Sequence, residues 1–503
     1  MLSRIRLTSV SLNGISRSWI FGGRRFSSHD STIYALSTNP GKSAIAIVRI
    51  SGPLSGHIYQ CLTGRKSLPE PRRAVLSPLR DLKGSILDHA LALYFKEPKS
   101  YTGEDLLELH LHGGQAIIRA VLKAIKELNS PENRIRYAEA GEFSKRAFQN
   151  GQLDLTQIEG IRDLIDAETE LQRQAAITSA GGDTKELYDV WRDKIVHNMA
   201  MVTALIDFSD DNADVNGNLF ESVKSNINVL LEEMYGHLDQ ISRSELLFSG
   251  IKMNLLGPPN AGKSSLLNII AKREAAIVSE VPGTTRDILE VGMEIGGFKV
   301  LIGDTAGLRS MESVTGDHAK IEMEGIKRAR ERFKGGDLIM TVIPASPTTE
   351  VPDGIADEIT MLKEQNKRII VAINKIDQLP TSISVESVVS NYSQAFGLPK
   401  DDIFPISCTD QTGLPTLINS ITASCKELTY TSNGPPIGAS QRIRDLLEQD
   451  VIYGLESFVS CDDVVIATAE LQHAIDGIGK ITGRGVGVEE LLGVVFSSFC
   501  IGK

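Results

Sequence analysis

The sequence predicts a multidomain protein with three parts: an α+β N-terminal domain, a discontinuous α-helical domain, and an α/β P-loop nucleotide domain inserted into the helical one. Three observations predict it. Four ordered phosphate- and base-binding strings lie between Gly257 and Asp377, helical spacing flanks them on both sides, and short apolar strands fill the stretch before Leu155. At 503 residues the chain is long enough for more than one domain, since a nucleotide fold takes only about 180 of them.

Taken in order, the first 29 residues hold Arg4, Arg6, Arg17, Arg24 and Arg25, several serines, no lysine and no acid. This is the composition of an organelle transit peptide covering residues 1–26, with cleavage after Phe26, although a disordered basic tail reads the same way. Losing those five positive charges takes the formal net charge from −11 to −16. A chain this acidic does not coat RNA by charge alone, so any RNA contact is local or supplied by a partner.

Residues 31–149 read as a compact α+β domain. Thr32 to Leu36 and Ala44 to Ile50 are short strands on either side of the turn Asn39-Pro-Gly41, Leu91 to Phe95 and Leu106 to His112 add two more, and Ala116 to Leu128 is an amphipathic helix. From Leu155 the spacing turns helical, with Ile158, Ile161 and Ile165 on one face, and continues to Leu246. It returns from Ser440 to Phe499 after the break at Gly434-Pro-Pro436. Residues 150–247 and 435–503 are therefore two parts of one helical domain, and residues 248–430 are the insert.

Within the insert, Ile251 to Leu256 reads as a buried strand and Ser264 to Ala271 as the start of a helix. Between them Gly257-Pro-Pro-Asn-Ala-Gly-Lys-Ser264 forms a phosphate loop. Its glycines let backbone N–H groups close on the α and β phosphates, Lys263 reaches the outer phosphates, and the Ser264 hydroxyl takes a place on Mg²⁺. Asn260, Ala261, Gly262 and Ser265 complete the contacts of this loop. A second string, Gly283-Thr-Thr-Arg286, preceded by Ser279, Glu280, Val281 and Pro282, brings the hydroxyl of Thr285, beside Thr284, to the same metal. A third, Asp304, Thr305, Ala306 and Gly307, follows the apolar strand Lys299 to Ile302, and Asp304 holds a water of the metal.

The fourth string, Asn374, Lys375, Ile376 and Asp377, selects the base. A carboxylate at Asp377 accepts from both N1–H and the 2-amino group of guanine, which adenine does not offer, so GTP is preferred to ATP. Ser407, Cys408 and Thr409, after the strand Asp402 to Ile406, form a fifth element at the base. Position 308, where Ras-type switches carry a glutamine that orients the attacking water, holds Leu308, whose side chain neither donates nor accepts. Another residue must take that task.

The five cysteines, at positions 61, 408, 425, 461 and 500, show no CxxC spacing, which suits a reducing compartment and argues against structural zinc. No stretch of 18 apolar residues is present to span a membrane.

With these pieces placed, the chain from Thr32 to Lys503 resembles the MnmE (TrmE) family of tRNA-modification GTPases, and its fungal mitochondrial members most of all. Beyond the nucleotide strings the resemblance rests on Ile47-Val-Arg-Ile-Ser-Gly52, Tyr101-Thr-Gly-Glu-Asp105, His112-Gly-Gly114, Gly141-Glu-Phe-Ser144 and the terminal Phe499-Cys-Ile-Gly-Lys503. It implies a homodimer in the mitochondrial matrix whose N-terminal domain binds 5-formyl- or 5,10-methylene-tetrahydrofolate. It also implies G domains that pair across GTP, and an FAD-dependent MnmG (GidA) partner with which the wobble uridine of certain mitochondrial tRNAs is modified at C5.

The resemblance further implies roles for single residues. Stimulation by K⁺ falls to Asn260, Ser279, Val281 and Thr284, and orientation of the attacking water to Glu322, the only residue assigned as catalytic. Asn260 also reads as an ordinary turn residue, and Glu322 as one acid of a helix start. Folate binding maps to Arg49, Glu108, Gln152 and Lys503, with Gln152 standing where the family usually has lysine. Arg49 and Glu108 also read as an ion pair between strands. Cys500 reads as either a reactive thiol or a packing residue and is left out of the catalytic set. The alternative to the whole reading is an Era-like ribosome-assembly GTPase, against which the acidic balance and helical C-terminus argue.

Overall fold

The computed structural model describes residues 31–207, 213–273, 276–277, 290–303, 336–347, 351, 354–432, 434–484 and 502. They form two compact units, one running to Gln152 and taking in Gly502, the other beginning at Leu153.

In the first unit the chain forms β1 (Thr32–Leu36), β2 (Ile45–Ser51), α1 (Ser55–Thr63), β3 (Val75–Arg80), β4 (Ile86–Phe95), β5 (Leu106–His112), α2 (Gln115–Glu127), β6 (Ile135–Tyr137) and α3 (Glu142–Gln149). Six strands make one sheet in the order β3-β4-β5-β2-β1-β6, antiparallel except where β6 runs parallel to β1. Val48 and Ile50 of β2 and Leu107, Leu109 and Leu111 of β5 point into a core completed by Ile58 and Tyr59 of α1 and Val121 and Ile125 of α2. Strand residues alternate between faces, so Arg49 and Glu108, set among these apolar neighbours, lie on the opposite face of the sheet.

The second unit opens with α4 (Leu155–Asp166), α5 (Glu170–Gly181), α6 (Asp183–Asp207) and α7 (Ala213–Ser249). Asp154 and Thr169 start the first two of these helices with reciprocal capping by Gln157 and Gln172. Ile158 is buried as expected, but Ile165 is 45% exposed. The reason is the contact with α5, where a Cβ on Gly160 would stand 2.4 Å from the Ala180 nitrogen. That close approach turns the Ile158–Gly160 side inward instead of the Ile161–Ile165 side.

The nucleotide part follows with β7 (Ile251–Leu256), α8 (Lys263–Arg273), β8 (Ala276–Ile277), β9 (Glu290–Ile295), β10 (Phe298–Gly303), β11 (Leu338–Pro344), α9 (Ile355–Glu364), β12 (Arg368–Asn374), α10 (Val385–Phe396), β13 (Ile403–Pro405) and α11 (Leu414–Thr429). The sheet order is β13-β12-β11-β7-β10-β9-β8, with parallel pairing from β13 through β10 and antiparallel pairing beyond. The central strands β11 and β12 are almost continuously buried, as a parallel sheet covered on both faces requires.

The chain then forms α12 (Gln441–Leu446), a π-helical turn (Leu447–Ile452), α13 (Tyr453–Ser460) and α14 (Val464–Thr482). Tyr188, Trp191 and Ile195 of α6 and Ile227, Met234 and Ile241 of α7 share one apolar core with Leu455, Phe458, Leu471 and Ile478. Helices from before and after the nucleotide part therefore bury one another's apolar faces. Arg442 ties the two sides further, donating to Glu159 at 2.8 Å and to the carbonyls of Lys480 and Ile481. Among the described residues no helix is long and apolar enough to cross a membrane.

Candidate functional site

The nucleotide loops gather at the C-terminal ends of the parallel strands. Asn260 sits in the left-handed region at φ 60° and is exposed, which leaves its side-chain oxygen available to a hard cation. Gly262, at φ 95°, lies so close to Asn374 that a Cβ would stand 2.1 Å from Nδ2, so no larger residue fits this turn. Ala261 is buried, while Ser264 and Ser265 are exposed in the first turn of α8, where free backbone N–H groups favour an anion. Nζ of Lys263 donates to the carbonyls of Gly257 at 2.5 Å and Pro258 at 2.9 Å, both within the phosphate loop.

Residues 374–377 and 407–409 adjoin this loop through the Asn374 amide. Asn374 closes β12, Lys375 takes a left-handed conformation at φ 67°, and Ile376 and Asp377 enter a single 3₁₀ turn. Asp377 accepts from the Ser407 hydroxyl at 2.7 Å, and that hydroxyl also accepts the N–H of Asp410 at 3.1 Å. Ser407 thus fixes the Asp377 carboxylate for a donor edge such as that of guanine. Cys408 donates its N–H to Oδ1 of Asn374 at 3.2 Å, and burial pushes its thiol above the ordinary value. Thr409 lies exposed beside it.

Ser279, Glu280, Val281, Pro282, Gly283, Thr284 and Thr285 lie outside the described residues, as do Asp304, Thr305, Ala306, Gly307, Leu308 and Glu322. The same holds for Cys500, Lys503 and residues 1–26. Among the described residues there is no cluster of three or more histidine, cysteine or acidic side chains that could hold a metal ion. Of the expected Mg²⁺ and K⁺ ligands, Ser264 and Asn260 are described, and both offer exposed oxygens suited to hard cations.

A second group of polar and aromatic side chains lies on the other face of the first unit's sheet, beside a small buried cluster of Ile33, Ala35, Ala138 and Phe143. Arg49 and Glu108 face each other across β2 and β5, and the guanidinium donates from Nε and Nη2 at 3.1 and 3.0 Å. The Arg49 guanidinium carbon stands 5.2 Å from the ring centre of Tyr101 and 5.9 Å from that of Phe143. Nε2 of His110 lies 3.5 Å from the second carboxylate oxygen of Glu108. The Tyr101 and Ser144 hydroxyls are 3.0 Å apart. Gln152 lies against the loop that carries Tyr101, where a Cβ on Gly103 would stand 3.2 Å from it. Gly502 accepts from the Ser37 hydroxyl at 2.8 Å, at the end of β1.

A buried ion network places α3 and hence Phe143. Arg146, 1% exposed, donates to Glu104 and Glu142 at 3.0 Å each, and Arg136 reaches Glu142 at 2.5 Å. Burial opposes charge on Glu142, but Arg136, the Glu139 N–H and Arg146 outweigh it and hold the carboxyl below its usual value. Tyr101, His110, Phe143 and Ser144 carry no motif of their own in the sequence. Tyr101, Phe143 and Ser144 lie in the strings Tyr101–Asp105 and Gly141–Ser144 on which the family resemblance rests.

The fold and the loops at its strand ends define a P-loop guanine-nucleotide protein. Comparison with known proteins adds the rest. The family model of the MnmE helical domain matches residues 155–500, and that of the GTP-binding protein TrmE N-terminus matches residues 32–152. The mitochondrial tRNA modification GTPase MSS1 of Saccharomyces cerevisiae is 42% identical, covering 94% of this chain and 93% of its own. Mitochondrial mss1 of Schizosaccharomyces pombe is 38% identical over 95% and 97% of the two chains, and MnmE of Rickettsia bellii is 38% identical over 94% and 100%. This chain belongs to the MnmE (TrmE) family of tRNA modification GTPases, and it is a mitochondrial member. The ribosome-assembly alternative finds no support in these matches.

Proposed function

We propose that the chain is the GTPase of a mitochondrial tRNA-modifying complex. With an FAD-dependent MnmG-type partner it acts on C5 of the wobble uridine of certain tRNAs, using the one-carbon unit of a tetrahydrofolate. The observation that carries this reading is the presence of two sites in one family member: the braced guanine loops, and the Arg49–Glu108 pair under Tyr101 and Phe143.

In this reading Glu108 accepts from the amino group and ring N–H of a pterin, as Asp377 does from guanine. Tyr101 and Phe143 supply apolar walls. Gln152 and Lys503 meet the glutamyl tail, with Gln152 donating hydrogen bonds where a lysine would also bring charge.

At the nucleotide, Lys263 exchanges its loop carbonyls for phosphate oxygens. Glu322 orients the attacking water, the task that Leu308 leaves open. Mg²⁺ at Ser264 and Thr285, and K⁺ at Asn260, Ser279, Val281 and Thr284, neutralise charge that builds on the phosphates when they are bound. The G domains pair across GTP within a homodimer, and residues 1–26 are removed on import.

The test is GTP turnover by the chain lacking residues 1–26, in K⁺ and in Na⁺ at matched ionic strength, for wild type and Glu322→Ala. The proposal expects a large K⁺ preference, with turnover largely lost and GTP binding kept in the variant. Equal rates in both salts, or full turnover in the variant, would overturn the mechanism.

A further inference from the structure

Along the free edge of the first unit's sheet, three arginines are anchored by backbone carbonyls instead of carboxylates. Strand β3 is the last in its sheet and pairs only with β4. Arg65 donates to the Leu76 carbonyl at 3.2 Å, Arg72 to that of Lys99 at 3.0 Å, and Arg80 to that of Gly84 at 3.0 Å. A carbonyl orients a guanidinium without cancelling its charge, and each group keeps further N–H donors. Other arginines of the same unit meet acids: Arg49 meets Glu108, Arg136 meets Glu142, and Arg146 meets Glu104 and Glu142.

The surrounding sequence strengthens the contrast. Between positions 65 and 83 six basic residues, Arg65, Lys66, Arg72, Arg73, Arg80 and Lys83, face two acids. Glu70 is taken by Arg73 at 3.0 Å, and Asp81 accepts the N–H groups of Lys83 and Ser85. Arg72 is held at φ 62°, a conformation that costs a residue with a Cβ, by its own N–H on the Tyr94 carbonyl at 2.7 Å. From Arg72 to Arg80 extended chain covers roughly 26 Å, long enough to meet several phosphates along one strand.

We infer that this edge is a contact surface for the sugar–phosphate backbone of a structured RNA. The inference rests on the reading above, in which tRNA is the substrate. The whole chain carries a formal charge of −11, so phosphate binding depends on locally positive surface such as this edge. Guanidiniums fixed at one end and open at the other suit bidentate pairing with phosphate oxygens. Such contacts set position and shape but carry no base sequence, which is read elsewhere in the complex.

The test uses the full chain and the double variant Arg65→Gln/Arg72→Gln, both positions being exposed and both replacements still able to donate. Binding of a labelled tRNA transcript is followed by fluorescence anisotropy across a KCl series, with anionic phospholipid vesicles as a second arm and GTP turnover as a control. The expected result is affinity lower by about tenfold and a log–log salt slope flatter by about 1.4 to 1.8, the loss of two phosphate contacts, with turnover unchanged. Equal affinity and slope would overturn the inference. So would a variant that loses vesicle binding while keeping RNA binding, since the edge would then face a lipid surface. If the variant binds RNA more weakly but wild type modifies no tRNA in reconstitution, the surface stands and the functional reading falls. If both proteins modify tRNA and bind it equally, the reverse holds.

Discussion

The side-chain amide of Asn374 donates to the carbonyl oxygen of Ala261 at 2.8 Å, so the end of β12 braces the loop between β7 and α8. Its oxygen takes the N–H groups of Lys375 at 2.8 Å and Cys408 at 3.2 Å. One side chain therefore joins three loops.

Replacing that side chain should cost binding. Asn374→Ala removes the hydrogen bonds of the Ala261 carbonyl and of the Lys375 and Cys408 N–H groups to this side chain, at about 1–3 kcal/mol per group left unsatisfied. Titration with a fluorescent guanine nucleotide should show affinity lower by at least tenfold, with the thermal transition of the helical part unmoved. Unchanged affinity would mean that the loops hold themselves.

In the proposed reading, base choice depends on the Asp377 carboxylate. Asp377→Asn keeps the size and gives one donor in place of an acceptor, which suits xanthine with its 2-carbonyl and fails guanine. Turnover with XTP should rise as turnover with GTP falls. A variant that still prefers GTP would remove Asp377 from base recognition.

On the N-terminal sheet, Glu108→Gln removes charge and keeps shape. Arg49 then faces an amide across the pair of strands, and a pterin loses its charged acceptor. Calorimetry with 5-formyltetrahydrofolate should show affinity lower by tenfold or more while GTP turnover is retained. Full folate affinity in the variant would place the folate elsewhere.

Stability should fall in mild acid because of a buried imidazole. His237 is 7% exposed, its Nε2 lies 3.0 Å from the Tyr188 hydroxyl, and its ring stands edge-on to Trp191. Burial pushes its pKa down to about 4 from an ordinary 6.5. The unfolded chain therefore binds a proton below pH 6.5 that the folded chain refuses until about pH 4. Stability is intact above that window and declines as pH falls through it, by on the order of 3 kcal/mol. His237→Phe removes the titrating group, so denaturant midpoints measured from pH 7 to pH 5 should fall less steeply than in wild type. Parallel slopes would assign the acid sensitivity to other groups.

The elements legible in the sequence are those bounded by turn residues and filled by one apolar period. Thr32–Leu36, Leu106–His112 and Ile251–Leu256 form strands at the expected residues for this reason. Strand β3 was hidden by Pro78, which only a sheet edge tolerates, and the edge position is a tertiary fact. The π-helical turn at Leu447–Ile452 leaves no periodic mark in the sequence. At the sites, local motifs named Lys263, Asn374 and Asp377, because phosphate and base chemistry demand fixed spacing. The stacking of Tyr101 and Phe143 on Arg49 joins segments about 50 to 90 positions apart, which only folding brings together.

The most direct measurement is analysis of the wobble nucleoside by mass spectrometry. An unmodified mitochondrial tRNA would be incubated with this chain, an FAD-dependent MnmG-type protein, 5,10-methylenetetrahydrofolate and GTP in K⁺, and compared with a reaction containing Lys263→Ala. The account predicts a C5-modified wobble uridine with wild type and unmodified uridine with the variant. Unmodified uridine with both proteins, under conditions where wild type hydrolyses GTP, would contradict it.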